Sequence, residues 1–435
     1  MTALASQRRS RTMAAGMAGL LVLGAAPVLG YFGWDVLRNS KAGTEAATVP
    51  EVKFPSTPTA MLAVVNDQKV VTALAVLVLA PGTGAGGTLV SFPTNSNRAQ
   101  TADDANLPVA DSFTTNGAEG LLSDVESISS VTLSFNAIAT ETDMAALLDP
   151  VGPMSVSLPN AVLDSGADGK TTTLFPADTT TLSPVQAASV LASTGPTKVE
   201  LPHLQNVRAV WNGLSSAVGV GLQPAATLSP APTSFDDFLT HFYAGPIQVY
   251  NDLNTQPITG AANPDKLDVG SLDRAAVVLV MSGLAPAAMI APYPNLSFRI
   301  ENGLTDADIA AAGLTGMTSA DLSRDIVAEL LFLQSNVISV SPEVFTLETL
   351  QVPDKTITYT STDVQTSEAR AFSDLFGDVD FSQPAISFPL VDVVMVIGRN
   401  YLDFVKQRLQ AGPPTAPPGV TATTIVDPTA ATVSS

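Results

Sequence analysis

The chain has 435 residues, 46% hydrophobic and 14% charged, with a formal net charge of −20, two histidines (His203 and His241) and no cysteine. The apolar content allows two or three packed domains and excludes disorder for most of the length. The acidic balance disfavours nucleic acid and anionic headgroups as partners. The missing cysteines exclude disulfides, lipoprotein acylation and thiol chemistry, and two histidines are too few for a multi-histidine zinc site.

In chain order, the first feature is a basic tail, residues 1–12, with Arg8, Arg9 and Arg11. An uncharged run of about 22 residues follows, 13–34. At roughly 1.5 Å rise per residue it spans a hydrocarbon core of about 30 Å. The expectation is a single-pass anchor in the cytoplasmic membrane, with the N-terminus inside and the bulk of the chain extracytoplasmic. A cleaved signal peptide is the alternative; Gly24, Ala25 and Ala26 offer small residues, but Pro27 follows them at once. Residues 35–59, with Pro50, Pro55 and Pro58, read as a stalk. The first 41 residues hold five basic groups against one acidic, Asp35, so the charge beyond Lys41 is about −24, from 15 basic and 39 acidic residues.

Residues 60–245 form a first unit. Apolar runs at 61–65 and 71–79 are separated by Asn66-Asp67-Gln68-Lys69 at hairpin spacing, and a third strand is expected at 88–92. The turn before it, Gly82 to Gly87, matches G-x-G-x-x-G, but a strand follows it where a dinucleotide fold needs a helix, so no nucleotide is expected there. A helical period runs through Leu121, Leu122, Val125 and Ile128, and a strand is expected at 131–139. Thr140 and Asp143 are spaced as a capping box for a helix to 148, and 154–163 alternates as one strand. Ser183, Pro184 and Gln186 mark another helix start. Leu204, Val207, Trp211, Leu214 and Val218 make an apolar stripe, and Asp236-Asp237 after Ser234 opens a further helix.

A connecting region, 246–296, leads to a second unit, 297–408, and to a Pro, Ala and Thr-rich tail, 409–435, expected to be disordered. The second unit reads as strand, helix, strand, strand, helix, strand, at 298–301, 320–333, 337–340, 355–360, 366–376 and 391–397. The economical arrangement for that order is a split βαβ sandwich. The fold class is thus α/β or α+β: a central mixed sheet with flanking helices, then a smaller two-layer domain.

The second unit resembles the LytR C-terminal domain. The matching residues are Phe298 to Gly303 with their Asn302-Gly303 turn, stretches at 321–340, 356–359 and 367–375, and the closing run Val391 to Tyr401; an insertion at 304–318 departs from the pattern. The resemblance implies a bacterial, envelope-located protein. The first unit is similar, more weakly, to the LytR-CpsA-Psr (LCP) domain, whose members transfer lipid-linked glycopolymers to peptidoglycan. This rests on 77–93 with Val90-Ser91-Phe92-Pro93, on Pro150-Val151-Gly152-Pro153, on 181–188, and on 204–211.

A transferase of that family holds a pyrophosphate and a divalent cation with arginines, which form bidentate, charge-assisted hydrogen bonds. By the resemblance, Gln68, Thr94, Ala192, Thr194, His203 and Asn206 stand at cation positions. Asp67 and Asn95 remain as polar candidates on matched positions, with Arg98 and Arg208 nearby; ordinary turn chemistry for Asp67 and a surface role for the two arginines are the better account of those three. No catalytic residue, cofactor or metal ligand set is expected.

The function implied is a non-catalytic, LCP-like binding or scaffolding protein linked to cell-wall polymer attachment, with a wall polymer or an envelope protein as partner. An active phosphotransferase with displaced ligands, and a structural or sensory ectodomain without a site, are the alternatives.

Overall fold

The computed structural model describes residues 50–82, 84–99, 104–165, 170–195, 200–223, 228 and 231–411. The basic tail, the apolar run 13–34, most of the stalk and all of the tail beyond Ala411 lie outside the described residues. Among the described residues, no helix is long and apolar enough to cross a membrane.

A five-stranded mixed sheet organises the first unit. Strands β1 (Thr59–Val65), β2 (Val71–Leu79) and β3 (Gly87–Phe92) form an antiparallel meander. β4 (Phe135–Ala139) pairs parallel to β1. β5 (Met154–Ser157) pairs with β8 (Thr179–Leu182), and β6 (Val162–Ser165) with β7 (Thr171–Phe175), as two small ladders. β9 (Ile247–Tyr250) returns to lie parallel to β3, so the sheet order is β4-β1-β2-β3-β9.

Every residue of β1 and β2 is buried, which is why both read as continuous apolar runs without alternation. Leu62, Leu77 and Leu89 face one core, shared with α2 (Glu141–Leu148), α3 (Pro184–Ala192), α4 (Glu200–Val218) and α5 (Phe235–Tyr243). Met61, Val76 and Phe92 face the other, shared with α1 (Ser112–Ser129) and α6 (Arg274–Leu284).

A short β10 (Thr255–Pro257) and β11 (Gly270–Leu272) pair on the way to the second unit. That unit runs β12 (Ser297–Glu301), α7 (Asp306–Ala311), α8 (Ser319–Phe332), β13 (Asn336–Ser341), β14 (Thr356–Thr360), α9 (Asp363–Arg370), α10 (Ser373–Phe376), β15 (Val379–Ser382), β16 (Val393–Val396) and α11 (Asn400–Ala411). Its sheet order is β13-β12-β16-β14-β15.

The architecture is therefore mixed α/β with two central mixed sheets and flanking helices. Several expectations are corrected. The second unit is not a split βαβ sandwich: β12 and β13 pair directly, in parallel, and β16 takes the other side of β12. Chain order does not set strand order, and β15, absent from the expected list of strands, gives the sheet a fifth member. The single strand expected at 154–163 is broken by a bend at Pro159 and Asn160, where the Asn160 N–H leaves the ladder to bond the Asn206 side chain. The helix expected at 366–376 divides into α9 and α10, and the strand expected at 131–139 begins only at Phe135.

Candidate functional site

The carboxyl ends of β1 and β3 open into a cleft of about 210 Å³. Its walls come from the β1–β2 turn, the segment after β3, the residues before α1, the exit of α3, the first turn of α4 and the loop before β11. Local sequence builds each wall. Asn66 accepts hydrogen bonds at its side-chain oxygen from the N–H groups of Gln68 and Val70, both 3.0 Å, an Asx turn that folds the hairpin. Its amide donates to the Thr194 hydroxyl at 3.3 Å and so ties that turn to the exit of α3. α3 itself starts on the reciprocal Ser183–Gln186 capping box, with Pro184 in its first turn.

Glu200, at the start of α4, is the chemical centre. Its carboxylate accepts from the Thr94 N–H at 2.9 Å and from the Thr94 hydroxyl at 2.7 Å. Its own N–H donates to Asp268 at 2.7 Å, and the Asn95 amide donates to the other Asp268 oxygen at 3.2 Å. The Thr255 hydroxyl orients Asn95 in turn, at 3.0 Å. Burial pushes the Glu200 carboxyl up to about 7 against the opposing Thr94 bonds, and the charge of Asp268 adds to the rise. Near neutral pH its charged and neutral forms are therefore close in free energy. His203, one turn along α4, bonds the Thr72 carbonyl through Nε2 at 2.8 Å, so that nitrogen carries the hydrogen. Burial holds its imidazole below the ordinary range, and the ring is neutral.

Asp111, Glu200 and Asp268 thus share one cleft with a neutral imidazole, and no lysine or arginine is among the described residues that line it. Among the described residues, no group of three or more His, Asp or Glu side chains is placed so that it could hold a metal ion. The chemistry open to such a site is proton exchange and hydrogen bonding to a neutral or cationic group; holding a pyrophosphate needs positive charge that these walls lack.

Of the four candidate residues, Asn95 lines the cleft and Asp67 stands exposed at the tip of the β1–β2 turn, outside the lining. Arg98 lies 3.4 Å from Asp124, which also receives the Ser112 hydroxyl at 2.5 Å. Arg208 donates to the Leu253 carbonyl and, at 3.1 Å, to Asn254, tying α4 to the loop after β9. The four are not brought together. The positions at which the resemblance expected cations behave differently: Gln68, Thr94, Thr194 and His203 all line the cleft. Ala192 and Asn206 do not; Ala192 is buried in the core, and Asn206 accepts the Asn160 N–H at 3.1 Å.

Sequence reasoning missed Glu200 and Asp268. Glu200 precedes His203 by one helical turn, a faint signal, whereas Asp268 is brought in by the fold alone. His203 belongs to the cleft wall, whereas His241 is buried elsewhere and its Nδ1 bonds the Gly84 carbonyl at 2.8 Å, bracing the glycine turn. In that turn Gly86 and Gly87 are required by backbone packing. A Cβ on Gly86 would sit 2.4 Å from the Pro246 carbonyl oxygen, and φ there is +76°.

No protein-family profile matches the chain, and no curated protein matches it. Among solved structures it is similar to B. subtilis TagV, at 11% identity over 52% of this chain and 94% of that chain, with a TM-score of 0.34. It is similar to B. subtilis TagT at 13% identity, over 52% of this chain and 88% of that chain, with a TM-score of 0.36. A third is YwtF (TagT), a LytR-CPS2A-psr family protein with bound octaprenyl pyrophosphate lipid, at 11% identity over 51% of this chain and 86% of that chain, with a TM-score of 0.36.

Proposed function

We propose that this chain is a membrane-anchored, extracytoplasmic cell-envelope protein whose LCP-like first unit binds and does not transfer, followed by a unit of the LytR C-terminal type. One observation carries the reading. The positions matched to the family's cation sites, Gln68, Thr94, Thr194 and His203, converge on a single cleft, and the charged groups that meet them there are carboxylates.

A pyrophosphate brings at least two negative charges, and buried charge is costly unless paired. Beside Glu200 and Asp268 it would be repelled. Losing one transition-state donor commonly costs about 10² to 10³ in rate, and several are replaced here. Space argues the same way. The cleft is smaller than the roughly 300 to 1,000 Å³ of ordinary small-molecule sites. The sheet face beneath α4 and α5 is closed by Trp211, Phe238 and Phe242, all buried, with the two phenylalanine rings 6.2 Å apart, so a long lipid tail finds no room there. The partner that fits is a polar, neutral or cationic part of a wall polymer or of another envelope protein. The convergence of polar groups speaks against an ectodomain with no site.

The test is to incubate the full-length protein with a lipid-pyrophosphate-linked glycan, a peptidoglycan acceptor and magnesium. No transfer is expected; transfer abolished by Glu200→Gln would overturn the reading. Combining Gln68→Arg, Thr194→Arg and Glu200→Gln is expected to tighten binding of free pyrophosphate at least about tenfold, since each charge-assisted hydrogen bond contributes roughly 1.5 to 3 kcal/mol.

A further inference from the structure

The second sheet is covered differently on its two faces. Phe298, Ile300, Val393 and Met395 turn toward the helices and the main core. The alternate residues of β12, Arg299 and Glu301, point to the other face, which loops cover. Both are buried there. Arg299 donates to Glu301 at 2.9 Å and to the Ser339 hydroxyl at 2.8 Å, and its guanidinium lies 4.4 Å from the centre of the Phe388 ring. Glu301 in turn accepts the N–H groups of Phe345 and Thr346, at 2.8 and 2.9 Å. The loop after β13 and the loop before β16 are thereby pinned over this face.

The chain enters the fold at the same place. Val52 donates its N–H to the Ser387 carbonyl at 2.8 Å, Ser387 returns a bond to Pro50 at 3.0 Å, and Phe54 stacks on Phe388 at 5.8 Å. The two covering loops expose large apolar side chains: Phe345, which packs on Phe388 beside this entry point, is 50% exposed, Leu350 65% and Leu390 66%. Leu350 and Leu390 both have positive φ, +51° and +60°, a region that a branched side chain occupies at a cost. A turn that needed only to turn would be served by glycine or asparagine. Upstream, only residues 35–49 separate Pro50 from the uncharged run 13–34, a reach of at most about 50 Å.

We propose that this face rests on the outer surface of the bilayer that holds the run 13–34, with Phe345, Leu350 and Leu390 entering the interfacial layer. The proposal depends on the anchor reading given above. The tether keeps the patch within reach of the lipid, and the chain's excess of negative charge leaves apolar burial as the source of attraction.

The absence of cysteine permits single labels at chosen sites. Leu350→Cys, Leu390→Cys and, on the far unit, the exposed Val185→Cys would each carry an environment-sensitive nitrobenzoxadiazole dye in the full-length protein, reconstituted in phosphatidylcholine vesicles. Flotation with the vesicles checks the anchor. The labels at 350 and 390 are expected to be blue-shifted and quenched at least about twofold more than the label at 185 by lipids carrying a shallow doxyl group. Floating protein with equal quenching at all three sites would overturn the proposal and leave the anchor standing. Blue-shifted labels without doxyl quenching would assign the patch to a second copy and overturn it also. Protein that fails to float removes the anchor reading and this proposal together.

Discussion

At the scale of single residues, Glu200 makes the sharpest statement about the site. Its pKa in the folded chain is raised from 4.5 to about 7. For a raised carboxyl, the folded state holds its proton more firmly than the unfolded one. The resulting stability is fully present below about pH 4.5 and is lost as the pH climbs through 7. At most about 3 kcal/mol is involved. Glu200→Gln keeps an acceptor for the Thr94 N–H and removes the ionisation. It is expected to raise Tm by about 2 to 5 °C at pH 8 and to change it little at pH 4.5. A Tm difference that stays constant across that range in calorimetry would show that Glu200 does not ionise as described.

Helix starts dominate the scale of elements. Thr140–Asp143, Ser183–Gln186, Thr305–Asp308 and Thr318–Asp321 all form reciprocal capping boxes. The first two were legible because Ser or Thr followed three residues later by Asp or Gln satisfies two end N–H groups with local atoms alone. The box at Thr305 begins α7, inside the stretch 304–318. Thr318→Ala removes the acceptor for the Asp321 N–H, now at 3.1 Å, and is expected to cost about 1 kcal/mol, read as a lower urea midpoint with an unchanged slope. Gly117 marks a different limit. It bends α1 with φ +71°, and the apolar period that predicted the helix is silent about the earlier turns from Ser112.

Across the whole molecule, the two units are less separate than their sequence suggests. One apolar core runs from Met61 through Val277, Val278 and Met281 of α6 to Phe298 and Ile326. α6 packs on both α8 and β13. The second unit is still expected to fold as a fragment, but its boundary belongs before α6. Fragment 270–411 should therefore unfold cooperatively at a temperature at least about 5 °C above that of fragment 297–411. The latter exposes apolar surface that three α6 side chains cover, at roughly 1.5 to 3 kcal/mol each. Equal melting temperatures would place the boundary after α6, at the stretch 286–294 with Pro286, Pro292 and Pro294, instead.

What could be read from residues in order was whatever depends on near neighbours: buried strands as apolar runs, helix starts as caps, the glycine turn as a strand connection, and the mixed α/β class. The cleft was only half legible. Gln68, Thr94, Thr194 and His203 were marked by their places in a pattern, but that they meet was decided by the sheet, which brings the ends of β1 and β3 beside the start of α4. Asp268 had no local mark at all. A carboxylate becomes part of a site only when a distant one stands beside it, and the 2.7 Å bond from the Glu200 N–H spans 68 residues of chain. Strand order in the second sheet has the same origin: pairing free energy depends on which faces are covered, and coverage is a property of the packed whole.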